Sequence, residues 1–254
     1  VGEPLALALD IRFANAADAR PITAFDVDMT KRLHLIAVGD DFVTFLHVHP
    51  TLAPNGHFTI VERFPKAGLY HVYADCVPHG HAQQVFRFDV TVGSPGARAA
   101  RDVAPTGTVV SAGPYRVSLD RTTLDANGET HLVVHVRENG RPATDLHPYL
   151  GALAHAVFLN ARDLTYVHVH PMKLGASGGA SDMGGMAGMS GMSGMTGASM
   201  PGMNTSAPPL PDSAVSSPDM LLHVAVHEPG TYKLWLQFRG GGALHVAPFV
   251  LTAR

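Results

Sequence analysis

The chain has 254 residues, 46% hydrophobic content and a net charge of −3 with histidine counted neutral, which is enough apolar material for one large or two ordinary domains. It has no basic excess of the kind that nucleic acid or an anionic membrane surface selects. A single cysteine, Cys76, excludes an internal disulfide framework and any multi-cysteine zinc or iron-sulfur site, while sixteen histidines and ten methionines stand out.

No run approaches the ~20 apolar residues needed to cross a bilayer, so no direct membrane span is expected. The chain opens on Val1 rather than methionine, which fits a processed start such as a cleaved export signal leaves. Residues 4 to 15 read as a first strand and Ala17 to Pro21 as a turn. Leu33 to Pro50, LHLIAVGDDFVTFLHVHP, then reads as a β-hairpin: an apolar run, a polar turn at Gly39-Asp40-Asp41, and a returning run rich in Val, Phe and Thr. Asn55-Gly56 marks a turn, His57 to Phe64 a strand, Pro65 to Gly68 a turn, and Leu69 to Ala74 and Val85 to Val92 two further strands. Residues 94 to 107 are the linker.

Beyond the linker the pattern repeats. Arg20-Pro21-Ile22-Thr23 returns as Arg141-Pro142-Ala143-Thr144, and the hairpin returns as Leu153 to Pro171, LAHAVFLNARDLTYVHVHP, both offset by 121 residues. Gly68 and Tyr70 match Gly230 and Tyr232 at an offset of 162, so about 41 residues are inserted after the second hairpin. Thr108 to Leu119 has no counterpart ahead of the first copy, which implies either a missing edge strand there or a natural sequence that begins earlier. The expected fold is all-β: two tandem immunoglobulin-like antiparallel sandwiches, residues 1–93 and 108–254, produced by internal duplication.

Each hairpin carries His-x12-His-x-His-Pro: His34, His47 and His49, then His155, His168 and His170. A turn centred between Asp40 and Asp41 sets His34 across from His47 with His49 diagonal on the same face, so three imidazoles converge, and the second copy repeats the geometry. Such a cluster is a metal site, and imidazole suits Cu, Zn, Ni and Fe. Because imidazole binds metal only when neutral, affinity is expected to fall between roughly pH 7 and 5. His245, on the last strand, is the candidate fourth ligand of the second site, and its aligned position in the first copy is Gln84. In the first copy the Cys76-Val77-Pro78-His79-Gly80-His81 loop takes that place. Cys76, His79 and Gln84 also have the spacing of a blue-copper ligand loop, although Phe238 aligned with Cys76 points to a packing position. His71, His131, His135, His147, His223 and His227 read as structural or surface histidines.

The insertion, about 172–218, is low-complexity Gly, Ser, Ala and Pro with Met183, Met186, Met189, Met192, Met195, Met200 and Met203. Its glycines exclude a helix and it has too little β-branched or aromatic content to pack, so a disordered loop is expected. Thioethers select Cu(I) and need no deprotonation, so these methionines read as a Cu(I) collector beside histidines suited to Cu(II), with zinc as the alternative ion. No GxSxG, HExxH or phosphate-cradling loop is present.

The strings LHLIxV, DD, FxxFxHVHP and FPxxGxYxVxAD, with HPYLGALAHAVxLxxxDLxYVHVHP and GTYKLWLQF in the second copy, resemble secreted bacterial β-sandwich proteins of the FixH/YtkA-like kind. The Met-rich segment resembles those of periplasmic copper-resistance proteins. The resemblance implies an exported, immunoglobulin-like, metal-associated protein. The leading expectation is periplasmic or extracellular copper buffering, delivery or resistance, with another copper-transport or membrane protein as partner. The alternatives are a mononuclear copper oxidoreductase with an open three-histidine site and a tandem immunoglobulin-like protein-binding module.

Overall fold

The computed structural model describes residues 2–13, 20–94, 96, 99–175 and 208–254, and among these every regular element is a strand. The chain divides into two compact units, Val1–Pro105 with Ala161–Asp163, and Thr106–Asn160 with Leu164–Arg254.

In the first unit a three-stranded sheet, in the order Pro4–Asp10, His57–Arg63, Thr51–Leu52, faces a five-stranded one. The latter runs Phe25–Asp26, Gly68–Pro78, Leu33–Gly39, Phe45–Val48, with Gln84–Val92 also paired to Gly68–Pro78. Alternation sends Leu33, Leu35, Ala37, Val72, Ala74 and Cys76 inward, where they pack with Phe58. The stretch read as a linker is tied down at its centre: Asp102 N–H donates to the Asp41 carbonyl at 2.7 Å, and the Arg101 guanidinium pairs with the buried Asp40 carboxylate at 3.0 Å.

The second unit has the same plan with more strands. One sheet runs Met172–Lys173, Asp219–Ala225, Glu129–Glu138, Tyr115–Leu119, Val109–Ala112. The other runs Thr123–Leu124, Ala243–Ala253, Gly230–Gly240, His155–Asn160, Tyr166–Val169. Its core is built from Leu132, Val134, Leu222 and Val224 of one sheet against Phe158, Leu234, Leu236 and Phe238 of the other. The hairpin Val109–Ala112 to Tyr115–Leu119, with Gly113 in the left-handed region at φ 61, has no counterpart among the described residues of the first unit. Phe86 and Phe88 are correspondingly exposed, whereas Ala247 and Phe249 of the second unit are fully buried.

Details of the two units coincide. Tyr70 donates its hydroxyl to the carbonyl of Lys66 and Tyr232 to that of Glu228, each at 2.9 Å and each four residues upstream, the tyrosine corner of immunoglobulin-like sandwiches. Asp10 pairs across strands with His57, and the matching positions of the second unit hold His135 and Asp219, the same ion pair with its members exchanged.

The strands Leu33–Gly39 and His155–Asn160 are buried along their whole length, on both faces. In register they depart from expectation. Leu35 faces Val48 and Ile36 faces His47, and Ala156 faces Val169, so each turn is centred one residue further along than expected. Each hairpin closes through a longer loop, with Gly39 N–H on the Thr44 carbonyl at 3.0 Å and Asn160 N–H on the Thr165 carbonyl at 2.9 Å, and with Phe42 (φ 58) and Leu164 (φ 65) turning it. His34 is therefore in line with His49 and diagonal to His47. A shift of two residues in pairing keeps the parity, so all three histidines stay on one face; a shift of one would have scattered them.

Each tyrosine corner contributes a hydrogen bond worth about 1 kcal/mol. Tyr70→Phe and Tyr232→Phe are each expected to lower unfolding free energy by about that amount in urea titrations, with metal capacity unchanged.

Candidate metal centre

Each triple is assembled from two strands and one tight turn. In the first, Nδ1 of His34 lies 3.0 Å from Nε2 of His47, which lies 3.2 Å from Nε2 of His49. In the second, Nδ1 of His155 lies 3.2 Å from Nε2 of His168 and 3.0 Å from Nε2 of His170. The two sites present the same three donor atoms. For zinc-like metal-nitrogen bonds of about 2.0 to 2.1 Å, such separations correspond to N-metal-N angles of roughly 95 to 105°, between octahedral and tetrahedral values. The side chains can therefore hold a metal ion almost as they stand, and three protein ligands leave at least one position open.

The outer nitrogen of the first histidine decides which atom faces inward. Nε2 of His34 lies 3.1 Å from the carbonyl of Asp28, and Nε2 of His155 lies 2.9 Å from the carbonyl of Tyr149. A carbonyl only accepts, so Nε2 carries the proton and Nδ1 is left with its lone pair. This is the outer-shell hydrogen bond that fixes tautomer and ring orientation in histidine-metal sites.

Those carbonyls are presented by matching turns. Asp28 and Lys31 exchange both backbone hydrogen bonds, as do Tyr149 and Ala152. Both central residues of each turn have positive φ: Met29 (41°) and Thr30 (71°), Leu150 (52°) and Gly151 (82°). Only Gly151 takes this conformation without penalty; the others cost of order 1 kcal/mol or more each, and Thr30 is β-branched. The sequence reading missed these turns because DMTK and YLGA share no residue. Gly151 was the single available signal.

The sites differ in what surrounds the matching donors. Asp28 brings a carboxyl whose pKa burial raises while the charge of His34 opposes the shift. Tyr149 instead sets its ring edge-on to His155, centroids 5.4 Å apart.

Several expected ligands lie elsewhere. His245 pairs with Phe238, and His155 with the adjacent Gln237, so His245 is on the opposite face of the sheet from the triple. It stacks on Phe238, meets Tyr115 edge-on, and its Nε2–H donates to the Gly240 carbonyl at 3.1 Å. Cys76 points into the core, where burial pushes its thiol up to about 12, too high to supply a thiolate. His79 is 73% exposed on Asp26, His81 is exposed against Phe13, and Gln84 is exposed beside Cys76 on the edge strand. These residues do not converge, so the blue-copper loop is not formed: Gln84 lies opposite Cys76 across the strand pair, but His79 is held away by Asp26 and the thiol is sunk in the core. Of the histidines read as structural, His71 is clamped between Asp40 and Asp89 at 3.0 and 2.8 Å, and His147 is bonded to the Ala214 carbonyl at 2.8 Å.

Met183, Met186, Met189, Met192, Met195, Met200 and Met203 lie outside the described residues. Within the expected loop of about 172–218, residues 172–175 and 208–218 are described and take defined positions. Met172–Lys173 is a strand paired with Met220 and Leu221, starting two residues after His170. On the return side Ser216 N–H donates to the Leu146 carbonyl, and Leu210 N–H donates at 2.8 Å to the carbonyl of Gly151, in the turn that orients His155. The described residues on either side of the methionines therefore lie beside the second triple.

A family described as a domain of unknown function matches residues 2–94 and 108–254. No curated protein matches the chain.

Burial lowers the pKa of His34 and takes that of His49 down to about 3, with the charges of His34 and Lys31 adding to the latter shift. Proton competition at the first triple accordingly sets in below the pH 7 to 5 window expected for free imidazole. In the unfolded chain both rings titrate near 6.5, so below that value the unfolded state takes up protons that the folded, metal-free protein refuses. The contribution of both rings is full above about pH 6.5 and is lost below it, that of His49 down to about pH 3 at up to about 1.4 kcal/mol per pH unit. The Tm of metal-free protein is expected to fall steadily from pH 6.5 to 4, and His49→Gln to flatten that slope. An unchanged slope contradicts the burial account.

Proposed function

Because the chain belongs to the DUF8832 family, whose description assigns no activity, its function has to come from its own residues, and we propose that it is a periplasmic or extracellular copper-binding protein that buffers or delivers copper. Cu(II) occupies the histidine triples and Cu(I) is collected by the methionines between residues 175 and 208. The observation that carries this reading is the pair of triples with identical donor atoms, each with its first ring held by a backbone carbonyl. Packing histidines would have no reason to converge through the same three nitrogens twice.

Copper is favoured over zinc by two considerations. Cu(II) stands at the top of the affinity order for nitrogen sites among first-row divalent ions, and thioethers select Cu(I) over Zn(II). The methionine segment is anchored at both ends beside His155 and His170, so an ion held by sulfur is kept at high local concentration next to imidazole. An exported location fits, since thioethers survive where thiols oxidise. The partner is an acceptor of the delivered ion, a copper-transport or membrane protein. A second reading, a mononuclear copper oxidoreductase, draws on the coordination position that three imidazoles leave open. Steady redox turnover of a small substrate by the copper-loaded protein would favour it over buffering.

His47→Ala with His49→Ala is expected to remove one tight Cu(II) equivalent, and His168→Ala with His170→Ala another, with the strand circular dichroism intact. Titration against a competing chelator reads the stoichiometry, and two equivalents surviving in both variants would overturn the assignment. For the second element, Leu in place of all seven methionines keeps length and apolarity but removes sulfur. That variant is expected to bind fewer Cu(I) ions at unchanged Cu(II) capacity; equal Cu(I) capacity would make the segment a spacer.

A further inference from the structure

A second kind of metal-ligating cluster lies in the second unit, on the sheet that does not carry His155. His131 of Glu129–Glu138 and His223 of Asp219–Ala225 are directly opposite each other across an antiparallel pair. Their rings are 4.3 Å apart between centroids, tilted by 53°. Glu129, two residues before His131, shares its face, because side chains alternate along a strand. Its Oε1 lies 2.8 Å from Nδ1 of His223 and 3.5 Å from Nε2 of His131. One donor atom of each of the three residues is within 4.8 Å of the other two. Thr130, Leu132, Leu222 and Val224, the alternate positions, are buried, so this is the outward face of the sandwich.

The geometry points to a third metal site here, in which His131, His223 and Glu129 take a first-row divalent cation through two imidazole nitrogens and one carboxylate oxygen. The donor set is suited to Zn(II), Cu(II) or Ni(II), and it lacks the soft sulfur that Cu(I) prefers. A bound ion needs donors about 2.0 to 2.2 Å away, so the rings have to close in by an ångström or less. Side chains that are 56% (His131), 43% (Glu129) and 36% (His223) exposed have the freedom to do so. On binding, the His223 ring proton passes from Nδ1 to Nε2, so that Nδ1 offers its lone pair to the cation, and the Glu129 carboxylate bonds the cation instead of the ring. Solvent completes the coordination, so the ion exchanges readily.

The site is a property of one unit. Offset by 162, the position matching His223 is Val61, which faces Ala6 across its own strand pair. The duplication that produced two triples therefore does not account for this cluster, and a generic tendency of the fold to place histidines on that face does not either.

The test is Zn(II) titration of the full chain, followed by competition with a chromophoric chelator. His131→Gln with His223→Gln, both at exposed positions, is expected to lower Zn(II) capacity by one equivalent relative to the parent. Glu129→Gln is expected to keep that equivalent but weaken it by about tenfold or more. The variant His47→Ala, His49→Ala, His168→Ala, His170→Ala is expected to retain one equivalent, and this separates the present site from the copper reading: an equivalent persisting there stands whether or not the triples bind metal. Unchanged capacity in His131→Gln with His223→Gln overturns the proposal and leaves the cluster as a cross-strand ion pair.

Discussion

The N–H of a histidine ring given to a backbone carbonyl, at His34 to Asp28 and at His155 to Tyr149, is the constraint on which both sites depend. It selects Nδ1 as the inward atom, orients the ring, and holds it on a strand buried on both faces. The other two histidines of each triple approach from the partner strand and need only its alternation and register to reach the same point. Without the carbonyl the first ring would be free to present either nitrogen, and the convergence at 3.0 to 3.2 Å would be one arrangement among several.

That constraint is bought with backbone strain. Met29, Thr30 and Leu150 sit at positive φ, where residues other than glycine are uncommon, and the turns persist because paired backbone hydrogen bonds and the ring donor satisfy them together. The Asp28 carbonyl accepts from both Lys31 N–H and the His34 ring, which uses both lone pairs. Strain of this kind in a duplicated fold, repeated with unrelated residues, is hard to attribute to packing alone. The desolvation that lowers the His34 and His49 pKa values acts in the same direction, because it keeps lone pairs available to a cation.

Much of this was legible in the sequence because it depends on periodicity. The duplication, the sandwich architecture and the common face of each triple all follow from alternation and from spacings of 13 and 2, and they survived a turn displaced by one residue because parity, not exact pairing, decides the face. What was not legible depends on the third dimension. The carbonyl acceptors come from turns that share no residues, His245 was placed on the right strand but on the wrong face, and the Cys76 loop had blue-copper spacing although its thiol is buried in the core and His79 is held by Asp26. His131 and His223 are 92 residues apart in number and became neighbours only through pairing of strands on either side of the methionine segment.

The central claim is that both triples bind metal through the same nitrogens, and anomalous diffraction at the copper edge from crystals equilibrated with Cu(II) tests it most directly. The account predicts a peak at each triple, bonded to Nδ1 of His34 and Nε2 of His47 and His49, and to Nδ1 of His155 and Nε2 of His168 and His170. Copper absent from the triples, or bound through the outer nitrogen of His34 or His155 with the carbonyl bond broken, would contradict it.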